Sequence, residues 1–321
     1  MTDPGAGRHA QPTRTSRDRP SRYDLSTVQV TFRSGDERCV GRLYRPDQPS
    51  NPPLVVLAGG PIASGGQPLA PYAERLAAAG YAAFHFDFRH TGDSDGDPRN
   101  LVSPARQRTD WEAALTGLRG RDDIATDQTV LWGVGLAADG ALAVAADDPR
   151  ISGVVAGTPI LSGRAFLRNQ GVGFLAGGLL AGARDRLQSL VGRSYTVPVV
   201  AGGADGDEGA RLSLVSTPNA SRGYRRVVDA EWTNRTPARS ILALWKHTGD
   251  DDRRRPTCPV LLVGGTRDDV AGIDAAEGAA ASLPDATLVR LPAGHFDLYE
   301  GSGFDRCVRH GIAFLDATVS R

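Results

Sequence analysis

Short, nearly unbroken apolar runs separated by longer amphipathic stretches set the rhythm of this chain. Leu54 to Ala58, Tyr81 to Phe88, Thr129 to Trp132, Ile151 to Ala156, Pro259 to Gly265 and Thr287 to Leu291 are the runs. They have the pattern of strands buried on both faces of a parallel sheet. Between the first two, Leu69, Tyr72, Ala73, Leu76 and Ala77 recur at helical spacing, with Pro71 in the first turn and Gly80 past the end. Trp111, Ala114, Leu115 and Leu118 repeat the pattern after Ser103 and Pro104, with Gly120 as the stop. Proline just inside a helix start, glycine just past its end and serine at the cap are the expected punctuation. Ala137 to Ala146, Ala271 to Leu283 and Asp305 to Leu315 read as further helices. Ahead of the first run, Val28, Val30 and Phe32 alternate with polar residues, Ser34-Gly35-Asp36 supplies a turn, and Cys39 to Tyr44 runs back, which predicts a hairpin over Ser26 to Arg45. Strands alternating with helices predict an α/β protein with a doubly wound, mainly parallel sheet.

The alternation stops from Gly157 to about Trp245, where a glycine-rich segment precedes a mixed stretch with Asp205, Asp207, Glu208, Arg222, Arg225 and Arg226. The expected organisation is a core made of residues 23–157 and 246–321, with residues 158–245 as a helical cap insertion over the strand ends. Asn169 to Ala183 is uncharged but shorter than the roughly 20 residues of a membrane span, so it predicts a buried or pocket-lining helix. Residues 1–22 carry Arg8, Arg14, Arg17, Arg19 and Arg22 among Pro, Gly, Thr and Ser without an apolar core, and read as a disordered tail, not a signal peptide.

Composition narrows the partners. The 37 Lys+Arg balance 37 Asp+Glu in 321 residues, so no global field favours nucleic acid or an anionic membrane. A small-molecule or protein partner is expected, with no nucleic acid and no membrane span. Cys39, Cys258 and Cys307 are odd in number and lack a C-x-x-C pair, which suggests neither a disulfide framework nor a zinc site. They read as ordinary thiols of a cytoplasmic protein, and no metal or other cofactor is expected.

Sites in open α/β sheets lie beyond the carboxyl ends of the strands. Four loops follow apolar runs there: Gly59-Gly60-Pro61-Ile62, Gly133 to Ala137, Gly265 to Val270 and Pro292 to Asp297. The second is a tight strand-to-helix turn of the kind that lifts a nucleophilic serine above a sheet in G-x-S-x-G. Its five residues are Gly133, Val134, Gly135, Leu136 and Ala137, so a glycine stands in the serine's place. Gly92-Asp-Ser94-Asp-Gly96 matches the motif literally but leads into Asp97-Pro98, not a helix. Ser64 and Ser162 also lie near the presumed pocket, with no motif around either.

From about residue 26 to the C-terminus the chain resembles the α/β-hydrolase superfamily, in particular its microbial esterase, thioesterase and acyl-peptidase-like group. The resemblance rests on FDFRHTGDSDG (Phe86 to Gly96), LWGVGLAADGALAVAADDPRI (Leu131 to Ile151), GTRDDVA (Gly265 to Ala271) and LPAGHFDLY (Leu291 to Tyr299). It implies an α/β-hydrolase fold with His295 as general base and Asp268 as the carboxylate that orients it, Asp269 being the runner-up. It places Gly135 at the nucleophile position, Leu136 and Pro61 at the oxyanion-hole positions, and Gly60 and Ile62 in the pocket. Glycine has no side chain to attack a carbonyl, and proline has no N–H to donate. The expectation is therefore a pseudo-hydrolase that binds an acyl or otherwise hydrophobic small molecule in a capped pocket. The alternative is an enzyme that uses His295 and Asp268 as a general base without a serine nucleophile, as in a lyase, isomerase, cyclase or water-based hydrolase.

Overall fold

The structure, a computed structural model, describes residues 24–59, 68–201, 212–217, 219–228, 232–249 and 255–320. The hairpin forms as β1 (Leu25–Ser34) and β2 (Glu37–Pro46), turning at Gly35 with φ +61°. β3 (Pro53–Ala58) follows, then α1 (Ala70–Ala78), β4 (Ala82–Phe86), α2 (Pro104–Leu118), β5 (Ala125–Val134), α3 (Ala137–Asp147) and β6 (Ile151–Gly157). After an intervening helical stretch come β9 (Val260–Gly265), α8 (Ile273–Ser282), β10 (Ala286–Leu291) and α9 (Gly301–Thr318). The eight long strands make one sheet in the order β1-β2-β4-β3-β5-β6-β9-β10. Pairing is antiparallel from β1 to β2 and from β2 to β4, and parallel across the rest.

The strands are apolar on successive residues because both faces of the sheet are covered. Leu54, Val56 and Ala58 of β3 point into one apolar cluster while Val55 and Leu57 point into the other. Helices α2, α3 and α8 cover the first face, and α1 and α9 the second. Trp111 of α2 is fully buried with its ring edge-on to Phe86 and Phe88. This is the doubly wound, mainly parallel sheet that the alternation predicts.

Local departures have local causes. Ser103 has the extended backbone of an N-cap, but its side chain makes no capping hydrogen bond. β5 begins at Ala125, four residues before the apolar run, because Ala125 pairs with Pro53 before the register shifts into the core.

Residues between β6 and β9 form α4 (Gly163–Asn169), α5 (Val172–Gln188), a short 3₁₀ turn (Ser189–Val191), the two-residue strands β7 (Thr196–Val197) and β8 (Thr236–Pro237), α6 (Ala220–Val227) and α7 (Arg239–Lys246). They share an apolar cluster that also takes in Leu136, Val270 and Phe296 from the loops after β5, β9 and β10. The buried helix expected over Asn169 to Ala183 is corrected in two ways. Gly171, at φ +96°, splits it into α4 and α5. Only one face of α5 is covered, by α7, leaving Val172 83% and Leu180 73% exposed. The N-terminal tail lies outside the described residues, as do Asp205, Asp207 and Glu208.

Candidate functional site

Gly135 sits in the two-residue turn between β5 and α3, at φ +64°. Its N–H donates to the Gly157 carbonyl at 2.9 Å, and its own carbonyl accepts from Ile160 N at 3.0 Å and Ala138 N at 3.2 Å. These bonds hold the turn between the ends of β5 and β6. A left-handed conformation is strained for any residue with a Cβ and costs a glycine nothing. Leu136 is the N-cap residue of α3, so backbone amides at the start of that helix point out of the turn.

His295 opens a 3₁₀ turn (His295–Leu298) just after β10, and its side chain is 9% exposed. Asp268, in the loop after β9, brings its Oδ2 to 2.9 Å from His295 Nδ1. The other carboxylate oxygen accepts from the amides of Val270 and Ala271, both at 2.8 Å. Asp269, the runner-up, faces away and accepts from Asn219 N at 3.3 Å and Asn219 Nδ2 at 3.0 Å. The histidine turn is braced at its far end, where Asp297 Oδ2 accepts from Gly294 N at 2.8 Å and Arg226 of α6 reaches Asp297 at 3.1 Å and Glu300 at 2.9 Å.

Burial disfavours the Asp268 carboxylate, but the charge and hydrogen bond of His295 and the two backbone amides outweigh it and hold its pKa below the ordinary value. The sign of the consequence follows. A carboxyl whose folded pKa lies below its unfolded value of about 3.9 stabilises the fold fully above that pH. The contribution disappears as pH falls through the folded pKa. We therefore expect Asp268→Ala to be less stable than wild type in urea at neutral pH, and the difference in midpoint to shrink below about pH 4. A constant difference from neutral to acid pH would contradict this pairing.

Gly135, Leu136 and His295 line one cavity of about 50 Å³, closed by Ile160, Phe166, Leu214, Val215, Tyr224, Leu244, Val270, Phe296 and Tyr299. Phe166, Leu214, Val215, Tyr224 and Leu244 come from the segment between β6 and β9, and Tyr224 stacks on Trp232 and meets Phe296 at 5.0 Å. None of these five stood out in the sequence. Their spacing is that of ordinary packing residues, and only the fold turns them toward the histidine. A further contact beside the turn also went unseen: Asp139, in the first turn of α3, lies 3.0 Å from His247 Nε2 just beyond α7.

The other candidate residues divide cleanly. Ser94 Oγ accepts from Val40 N at 2.9 Å and donates to the Asp87 carbonyl at 2.7 Å, so the literal G-x-S-x-G is a buried structural clasp. Ser162 caps α4 by accepting from Ala165 N at 3.1 Å. Gly60, Pro61, Ile62 and Ser64 lie outside the described residues.

A tight turn between a buried strand and a helix, with an Asp–His pair at the ends of the last two parallel strands, defines a class. Residues 54–309 match the model of the alpha/beta hydrolase family. The chain belongs to that family. Among curated relatives, it is 31% identical to the quorum-quenching protein AidA of Acinetobacter baumannii, over 91% of this chain and 95% of that protein. It is 26% identical to the polyketide transferase af380 of Aspergillus fumigatus, over 74% of this chain and 80% of the relative. Among solved structures, DcsB in complex with its substrate analogue superposes with a TM-score of 0.77 at 22% identity, covering 92% of this chain and all of that one (100%). The alpha/beta hydrolase GrgF from Penicillium gives 0.74 at 20% identity, covering 91% and 99%. At those identities the structures share the fold.

Proposed function

We propose that this chain is a pseudo-hydrolase: it binds an acyl or otherwise hydrophobic small molecule in the cavity at Gly135 and His295, beneath residues 158–245 acting as a cap, without serine chemistry. The observation that carries the reading is Gly135 itself, which occupies the strand-to-helix turn facing His295 and has no atom that could attack a carbonyl. Pro61, at the position the family resemblance gives to the second oxyanion donor, has no N–H to offer. The apolar lining suits a hydrocarbon chain, and the names of the relatives, a thiohydrolase and an acyltransferase among them, point to acyl chemistry in their own cases. The cavity, about 50 Å³, is far below the roughly 300–1,000 Å³ of sites for drug-sized ligands, so a chain of several carbons needs lining side chains to move aside.

A second reading has one observation in its favour. The Asp268 to His295 hydrogen bond would still orient the imidazole as a base, which could act on a water or a substrate proton in the space beside Gly135. Positioned general bases contribute about 10²–10⁴-fold.

One experiment separates the two. The full chain, His295→Ala and Asp268→Asn are each incubated with octanoyl-N-acetylcysteamine, an acyl thioester, with affinity read by calorimetry and the ligand's mass followed over time. We expect binding by all three, unchanged ligand mass, an affinity change of about 1–2 kcal/mol in His295→Ala, and no adduct with a fluorophosphonate probe. Conversion by wild type and by neither variant would replace the pseudo-hydrolase with the base-catalysed enzyme. A probe adduct on any serine would overturn both.

A further inference from the structure

Among the described residues, the exposed large apolar side chains are concentrated on one element. Val172, Leu180 and Leu187 lie on the outer face of α5, and Leu190 and Val191 continue it through the 3₁₀ turn. All five are 69–83% exposed, whereas the next, Val28 and Leu25 on the edge strand, are 48% and 39% exposed. Ala176 and Ala183 fall between the larger residues at helical spacing and are exposed as well, so the stripe runs the full length of the helix. The opposite face, with Phe174, Gly178, Ala181 and Gly182, is buried and packs against α7, whose Leu244 lines the cavity. Apolar residues scattered singly over a surface need no explanation, but a contiguous stripe does.

Within the segment that carries the stripe, the exposed charge has one sign. The chain as a whole is neutral, yet residues 163–193 carry Arg164, Arg168, Arg184, Arg186 and Arg193 against a single carboxylate, Asp185. Asp185 is fully buried and spent inside, accepting from the Tyr195 and Arg239 amides and the Ser194 hydroxyl. Arg184 and Arg186 on α5 and Arg193 just past the 3₁₀ turn are exposed, Arg184 with its guanidinium over the Tyr195 ring, while Arg164 and Arg168 of α4 lie over Trp245. A second copy docked about a two-fold axis would set this patch against itself, arginine facing arginine. An anionic bilayer accepts both features, leucines at the boundary of headgroups and acyl chains and guanidinium groups at the phosphates. No helix among the described residues is long and apolar enough to cross a membrane, so the fit is a helix lying in the surface plane.

We infer that the outer face of α5 and its 3₁₀ turn is a peripheral docking surface for an anionic phospholipid bilayer. This does not depend on what the cavity binds.

The test is flotation of the full chain with vesicles of phosphatidylcholine alone and of equimolar phosphatidylcholine and phosphatidylglycerol. Binding is expected to the mixed vesicles only and to weaken with salt. Leu180→Glu/Leu187→Glu should abolish it with an unchanged circular-dichroism spectrum and melting curve. Arg184→Gln/Arg186→Gln, at two exposed positions, should weaken partitioning about thirtyfold at low salt, and it decides the matter if the glutamate variant does not fold. Absence of vesicle binding, equal binding to both vesicle types, or full binding by either folded variant would overturn the inference. Full binding by the variants would shift it to another surface, such as the arginine-bearing residues 1–22. A dimer by light scattering that Leu180→Glu/Leu187→Glu converts to monomer, with no vesicle binding by wild type, would assign the stripe to a second copy.

Discussion

Gly133→Val is expected to leave little folded protein. Gly133 is the penultimate residue of the central strand β5, pairing with Ala58 of β3 and Ala156 of β6 just ahead of the turn that carries Gly135. A Cβ at this position would stand 2.5 Å from Ala138 Cα, 2.6 Å from Ala138 N and 2.7 Å from the Ala137 carbonyl. All three atoms are backbone in the first turn of α3, so no side chain can rotate to make room. Overpacking that side chains can absorb costs about 1–3 kcal/mol. Here the helix itself must move off the sheet, and we expect a loss above about 4 kcal/mol, against a total stability of about 5–15 kcal/mol for a domain. The measurement is the urea midpoint of whatever soluble fraction remains, together with thioester binding. A wild-type midpoint would mean that the strand-to-helix turn is wider than described. The same contact leaves room at position 133 for glycine alone.

The second large effect is expected at Asp110. This α2 carboxylate is fully buried and accepts from Arg89 Nε at 2.7 Å and from the Arg89 amide at 3.1 Å, while Arg89 Nη2 donates to Ser34 Oγ at 2.6 Å. The Arg89 side chain is only 12% exposed. Burial raises the Asp110 pKa more than the hydrogen bonds from Ser34 and Arg89 lower it, so the pair holds a charge in a place hostile to it. Removing one partner of a buried pair costs about 3–5 kcal/mol, chiefly because the other charge is stranded, whereas replacing both with apolar residues is often neutral. We therefore expect Asp110→Ala and Arg89→Ala each to lose about that much, and Arg89→Met/Asp110→Leu to lose less than either. Urea unfolding of the three variants reads this directly. Additive losses in the double variant would show that the two groups act separately. Because Arg89 lies in the loop that also holds Ser94, the single variants should loosen β2 against that loop, which Ser94 Oγ joins to Val40.

Much of this architecture was written locally. Apolar runs without alternation placed the central strands because both sheet faces are covered, and period and punctuation located the flanking helices to within a few residues. The position of Gly135 was legible for the same reason: a strand, two residues and a helix leave one place for the apex of the turn. His295 and Asp268 came from the family resemblance and the rule that sites follow strand ends, not from any periodicity.

The rest depended on contacts distant in sequence. Asp268 and Asp269 are neighbours with the same chemistry, and only the packing of the β9 loop against the turn after β10 directs one toward His295 and the other toward Asn219. Ser94 sits in a literal catalytic motif, and its clasp to Val40, 54 residues away, exists only once β2 lies beside β4. The cavity wall comes from residues whose local pattern is that of any core, brought over the sheet by the chain between β6 and β9. Whether Asn169 to Ala183 was covered could not follow from its composition, because burial depends on having a neighbour for each face. Folding supplied α7 for the inner face of α5 and left the outer face to solvent.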